Sequence, residues 1–117
     1  MGQRHRILFV CTHNLGRSVT AEHLFRESPA YEARSAGTDA EARVPVSTDL
    51  ITWAARIFVM EQEHLAFLSQ RFADHLEGKE VICLDIPDIY APLEPELITL
   101  LQEKLAPYLS PSKDRDV

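Results

Sequence analysis

Eight consecutive residues, Cys11-Thr12-His13-Asn14-Leu15-Gly16-Arg17-Ser18, contain the parts needed to hold and attack a tetrahedral oxyanion. The cysteine and the arginine are separated by five residues, and a serine follows directly. That length of chain can wrap an anion with its backbone N–H groups turned inward, as successive amides do in anion-binding concavities. A helix starting at the end of the loop would add its free amides and its dipole. Arg17 can hold two oxygens with its planar fork. The same positive surroundings favour a thiolate, the nucleophilic form of cysteine. Ser18 is placed to donate a hydrogen bond to that thiolate and to help it leave later. Asn14 can hold a strained turn open, and Gly16 permits an unusual φ. The expected phosphate-binding residues are therefore Thr12, His13, Asn14, Leu15, Gly16, Arg17 and Ser18, with nucleophilic chemistry at Cys11. The His13 side chain is expected at the rim or in solvent.

Such a loop needs a rigid strand before it and a helix after it. Arg4–Val10 (RHRILFV) has a polar lead into a continuous apolar run, as a strand buried on both faces does. A helix is expected from Arg17 or Ser18, carrying Ala21, Leu24 and Phe25 on one face and stopped by Pro29. Tyr31–Ser35 is a short strand ending at Ala36-Gly37, and Thr38–Ser47 is a loop. Thr48-Asp49 opens a short helix, and Arg56–Met60 is a second buried strand. Glu61–Leu76 is a single helix with Leu65, Leu68, Phe72 and Leu76 facing the core, and its acidic start is an ordinary helix N-terminus. Glu80–Leu84 is the last strand and Asp85–Pro95 a proline-rich loop. Pro95 then opens a helix whose Leu97, Leu100, Leu101 and Leu105 face inward. Alternating strands and helices predict an α/β fold: a three-layer α/β/α sandwich around a four-stranded parallel sheet, with the phosphate-binding loop after the first strand. In such sheets ligands bind beyond the carboxyl ends of the strands, here the loops beginning at Cys11, Ala36, Glu61 and Asp85.

The chain has 117 residues, enough for one domain, with 110–117 expected as a frayed tail. The formal charge of −6 argues against nucleic acid or an anionic membrane as main partner. No apolar run approaches a membrane span, and with no targeting segment the expected location is the cytoplasm. The two cysteines, Cys11 and Cys83, lie far apart and are expected to be free, with Cys83 a buried, inert thiol. The five histidines are scattered, so no metal and no cofactor is expected.

Together these residues resemble the low-molecular-weight protein tyrosine phosphatases, whose signature is an apolar strand, C-x-x-x-N-x-x-R-S and an Ala-Glu-containing helix. Ile7-Leu8-Phe9-Val10-Cys11, Asn14, Arg17-Ser18 and Thr20-Ala21-Glu22 match it. Arg34-Ser35-Ala36-Gly37-Thr38, Ile57–Glu61 and Ile86-Pro87-Asp88-Ile89-Tyr90 follow in the family's order. The resemblance implies a metal-free, cysteine-dependent phosphatase acting on phosphotyrosine protein or another aryl phosphate. It assigns Cys11 as nucleophile, Arg17 as anion clamp and Asp88 as general acid. Asp85, three residues earlier, is the competing acid; Asp88 is preferred because Pro87 and Tyr90 frame it as in the family's Asp-Pro-Tyr segment, with Asp85 then capping or bracing the loop. Tyr90 would lie beside the cleft, and Ser35 would join Asn14 in a network holding the loop open.

Some positions depart from the family pattern. His13 replaces the usual glycine, Gly16 the second loop cysteine and Val19 the proline after Arg-Ser. The segment normally following Ser-Ala-Gly-Thr is nearly absent, which thins one cleft wall and leaves a surface that a homodimer could cover. Two other functions compete: a non-catalytic phosphate-binding or interaction protein on the same scaffold, and an arsenate reductase. The latter needs two further cysteines to relay a disulfide, and only Cys83 is available.

Overall fold

The apolar run around Ile7–Val10 becomes the centre of the molecule. In a computed structural model, which describes residues 4–109, β1 (His5–Cys11) is flanked on one side by β2 (Tyr31–Gly37) and on the other by β3 (Arg56–Val59), with β4 (Glu80–Cys83) beyond. All three pairings are parallel, giving the order β2-β1-β3-β4. The chain moves outward from β1 to β2, then crosses back to β3. The strand order therefore reverses beside β1, and the crevice of a doubly wound sheet opens there, at the carboxyl end of β1.

Side chains alternate along each strand, and both faces are buried. Ile7, Phe9 and Cys11 point to one side with Phe58 and Met60. They pack against Ala21 and Phe25, from α1 (Arg17–Leu24) and the residue after it, and against Leu97, Leu101 and Leu105 of α5 (Pro95–Leu105). Leu8 and Val10 point to the other with Ile57 and Val59, against Ile51 of α2 (Thr48–Trp53) and Leu68 of α3 (Gln62–Arg71). Helices cover both faces, completing the expected three-layer sandwich. The helix expected over 61–76 is broken. Phe72 leaves the helical region at φ −128°, ψ 26°, and a short α4 (Ala73–Leu76) restarts. The turn lets both Phe72 and Leu76 pack on the second cluster. Helix α1 ends at Leu24, well before Pro29, because Phe25 and Arg26 donate three residues back, to Glu22 and His23, and close the last turn. Cys83 is half-buried, not buried as expected, because β4 is the edge strand; its thiol donates to Asp85 Oδ1 at 3.3 Å. The tail expected over 110–117 lies outside the described residues. Among those described, no helix is long and apolar enough to cross a membrane.

Gly37 ends β2 against the loop that follows β1. A methyl group there would strike the Thr12 carbonyl oxygen, and would come within 2.6 Å of Ala42 Cβ and 3.0 Å of Asn14 N. Two of these partners are backbone and cannot rotate away. Gly37→Ala is therefore expected to destabilise the protein by about 1–3 kcal/mol, the usual cost of overpacking, and to weaken phosphate binding. Urea denaturation with a parallel phosphate titration checks this; unchanged stability would mean that the loop is not seated on Gly37.

Candidate active site

The loop from Cys11 to Arg17 is shaped from outside. Its carbonyls are taken up by the segment after β2: Thr38 N donates to Cys11 O at 2.9 Å, Asp39 N to Thr12 O at 3.0 Å and Arg43 N to His13 O at 3.1 Å. Arg43 Nε reaches Asn14 O at 3.2 Å. With four successive carbonyls turned outward, the intervening N–H groups face the opposite side, where an anion would sit. Asn14 makes the turn at φ 58°, a left-handed conformation that asparagine tolerates better than most residues. Its buried amide donates to Ser18 Oγ at 2.8 Å and to Ser35 Oγ at 2.9 Å. Ser35 in turn donates to Glu22. The loop, α1 and β2 are thus tied by one chain of hydrogen bonds. Sequence reasoning passed over Thr38–Arg43 as a plain loop, although it fixes the amide direction.

Cys11 Sγ lies 2.9 Å from Ser18 Oγ, both buried. Helix α1 starts at Arg17 with no side-chain cap, so the free N–H groups of its first turn and its positive end face the loop. The Arg17 side chain is only 2% exposed. A buried cation needs partners. Arg17 Nη1 donates to Ile86 O at 2.7 Å and lies 3.4 Å from Glu61 Oε1, while Nε lies 3.8 Å from Asp88 Oδ1. The bond to Ile86 carries the loop after β4 toward Cys11. A small cavity of about 90 Å³ results, lined by Cys11, Thr12, His13, Leu15, Gly16, Arg17 and Asp88. A thiol, a ring of backbone amides, a buried guanidinium and an exposed carboxylate (68% exposed) therefore share one site. Such a set can transfer a phosphoryl group to sulfur while protonating the leaving oxygen.

The structure brings together most of the predicted residues and separates two. Asp85 turns to Cys83 and stays out of the cavity, with φ 56° at its backbone. Tyr90 also stays out. It leans on the α5 side, in a groove with Pro95, Thr99 and Leu100. His13 is exposed at the rim, 3.5 Å from Asp39.

Two residues at the start of α3 were missed as site components. Glu61 pairs with Arg17, and His64 is fully buried beneath the loop. His64 Nδ1 accepts the Glu61 backbone N–H at 3.0 Å, and Nε2 lies 2.8 Å from Thr12 Oγ1. Burial first, then the neighbouring Arg17 charge, pushes the imidazole below its ordinary value, against the raising pull of Glu61, Glu63 and Asp88. The neutral ring is thereby favoured, in keeping with the Glu61 N–H on Nδ1. Its ring could in principle join Glu61 and Glu63 around a metal, but with Nδ1 accepting a backbone N–H and Nε2 on Thr12, no ring lone pair is left for one.

The family model described as "Low molecular weight phosphotyrosine protein phosphatase" matches residues 6–86. No curated protein matches the chain. Among solved structures, the YwlE arginine phosphatase from Geobacillus stearothermophilus is 25% identical with a TM-score of 0.67, over 97% of each chain. The tyrosine phosphatase Wzb from Escherichia coli, in complex with phosphate, is 21% identical with a TM-score of 0.71, over 91% of this chain and 96% of that one. The low molecular weight protein tyrosine phosphatase from Streptococcus pyogenes has the same fold at 14% identity, with a TM-score of 0.73 over 96% and 98% of the two chains. With the thiol, guanidinium and carboxylate gathered in one cavity, a merely anion-binding scaffold is not favoured; this chain belongs to the low molecular weight phosphotyrosine protein phosphatase family and is an enzyme of the phosphatase class.

Proposed function

We propose that this protein hydrolyses phosphotyrosine or another aryl phosphate monoester through a phosphocysteine intermediate. The observation that carries this reading is the Cys11–Ser18 contact of 2.9 Å inside a cavity that Asp88 also lines. The Cys11 thiolate attacks phosphorus and the P–O bond to the leaving group breaks. Asp88 gives its proton to the departing oxygen. Water then attacks the phosphocysteine, Asp88 takes a proton from it, and the thiolate leaves with the Ser18 hydroxyl donating to it. Arg17 and the loop amides hold the equatorial oxygens throughout. No step needs a metal.

The cavity is small enough to take the phosphoryl head alone, so the leaving group must rest on the rim. There Leu15 is 60% exposed and Ile89, next to Asp88, is 73% exposed. Two apolar side chains beside the mouth suit a flat aromatic group better than a charged one. The expected result is turnover of para-nitrophenyl phosphate and of phosphotyrosine peptide. In the presence of an added alcohol, phosphate should partition between water and alcohol in one fixed ratio for all aryl phosphates, because all share one phosphoenzyme. A ratio that changes with the leaving group would mean direct attack by water. Preference for phosphoarginine, the linkage implied by the name of the Geobacillus neighbour, would overturn the aryl assignment.

A further inference from the structure

We propose that His64 is a positioning residue that fixes the Thr12 hydroxyl as a hydrogen-bond donor into the phosphate cavity. The inference extends the phosphatase reading and rests on the same site, but concerns a side chain outside the loop. It follows from hydrogen-bond bookkeeping. Nδ1 faces the Glu61 backbone N–H at 3.0 Å, a group that can only donate, so Nδ1 must be the unprotonated nitrogen. The proton of the neutral ring then sits on Nε2, which donates to Thr12 Oγ1 at 2.8 Å. A hydroxyl that receives this bond directs its own proton elsewhere, and Thr12 lines the cavity. The capping of α3 by its own third residue thus sets the polarity of a hydroxyl fifty-two positions away in sequence. A bound oxyanion gains one donor beyond the loop amides and Arg17, and the neutral ring adds no charge beside the thiolate.

Protonation would remove this arrangement. A cationic ring must place a proton on Nδ1, against the Glu61 N–H, and stand near Arg17. Arg17 of α1, Glu61 at the cap of α3, Glu63 of α3 and Asp88 after β4 are the charged groups facing it. Since the folded-state value is lowered, the stabilising contribution is fully present above the ordinary imidazole value of about 6.5. It is lost as pH falls below that value toward the folded-state one, because the unfolded chain takes up the proton first.

Three measurements test the proposal. Long-range ¹H–¹⁵N spectra of the wild-type side chains should find His64 neutral, with its proton on Nε2; a proton on Nδ1 overturns the proposal whatever the variants do. Inorganic phosphate affinity, measured by calorimetry, needs no turnover and separates this proposal from the phosphatase reading. Thr12→Val and His64→Phe should each weaken phosphate about tenfold, one hydrogen bond's worth. The double variant should be no worse than Thr12→Val alone, and Thr12→Ser and His64→Gln should retain most of the affinity. Additive losses, or full affinity in His64→Phe despite a lower melting temperature, would reduce His64 to a structural residue. If His64→Phe does not fold, the wild-type spectra and the Thr12 pair decide. The wild type should also lose stability relative to His64→Gln as pH falls below about 6.5; parallel profiles would overturn the neutral-ring account.

Discussion

Cys11→Ser is expected to lower the hydrolysis of para-nitrophenyl phosphate by at least about 10⁴-fold, the scale seen when a covalent nucleophile is removed. The same variant should bind inorganic phosphate as well as the wild type or better. The two halves of this expectation come from different atoms. Binding rests on the amides of a loop whose carbonyls are held by residues 38–43, and on Arg17, fixed by Ile86 O at 2.7 Å. Neither depends on sulfur. The chemistry does depend on it, because a serine hydroxyl carries no negative charge at neutral pH and its hydrogen-bond neighbour is not a base. Ser18, 2.9 Å away, is a hydroxyl and a donor, suited to holding a thiolate and not to deprotonating an alcohol. Removing the thiolate also removes a negative charge from beside the bound anion. Steady-state turnover and phosphate calorimetry on one preparation decide the matter. Turnover at a few per cent of wild type would take Cys11 out of the reaction. Loss of phosphate binding would mean that the substitution had collapsed the loop.

The sequence made the centre of this site legible because its chemistry is local. Cys11, Asn14, Arg17 and Ser18 lie within one turn of chain, and the apolar run before them can only be an inner strand. Asp88 was legible through the segment Ile86–Tyr90, but its place over Cys11 depends on a buried bond from Arg17 to Ile86 O, which no spacing encodes. The supports were not legible. Glu61 read as part of an ordinary acidic helix start and His64 as one of five scattered histidines, since nothing in their spacing marks a buried first turn. Only the pairing of β3 with β1, Phe58 opposite Phe9 and Val59 opposite Val10, carries the start of α3 under Thr12. The brace from Thr38 to Arg43 failed to register for a related reason. It acts mostly through backbone N–H groups, which every residue but proline has. The break at Phe72 was hidden because Leu65, Leu68, Phe72 and Leu76 keep a helical spacing across it, although the chain turns between them.

The second large effect falls on Asp88. Asp88→Asn is expected to lower kcat for phenyl phosphate by about 10²–10⁴-fold, the range for loss of a general acid, while phosphate affinity changes little. The size of the loss should depend on the leaving group. Phenol is a poor leaving group and needs the proton; a strongly electron-withdrawn phenol departs as the anion without help. Across a series of aryl phosphates the variant should therefore show a steep dependence on leaving-group acidity where the wild type shows a shallow one. Asp85→Asn should leave both slope and rate near wild type, since Asp85 is turned to Cys83 and lies outside the cavity. This pattern separates proton donation from the other role the geometry offers Asp88. Its Oδ1 lies 3.8 Å from Arg17 Nε, and a carboxylate there could serve only to balance the buried guanidinium. That balance, however, is available from Glu61, which is nearer at 3.4 Å and less exposed. A carboxylate acting only on Arg17 would change all substrates by the same factor when neutralised, and would alter phosphate affinity as well. An equal loss across the series would assign Asp88 to holding Arg17 and leave the proton to be supplied by solvent. A loss that grows with the basicity of the leaving oxygen places the proton on Asp88, the carboxylate that lines the cavity and is open both to an incoming ester and to the water that follows it.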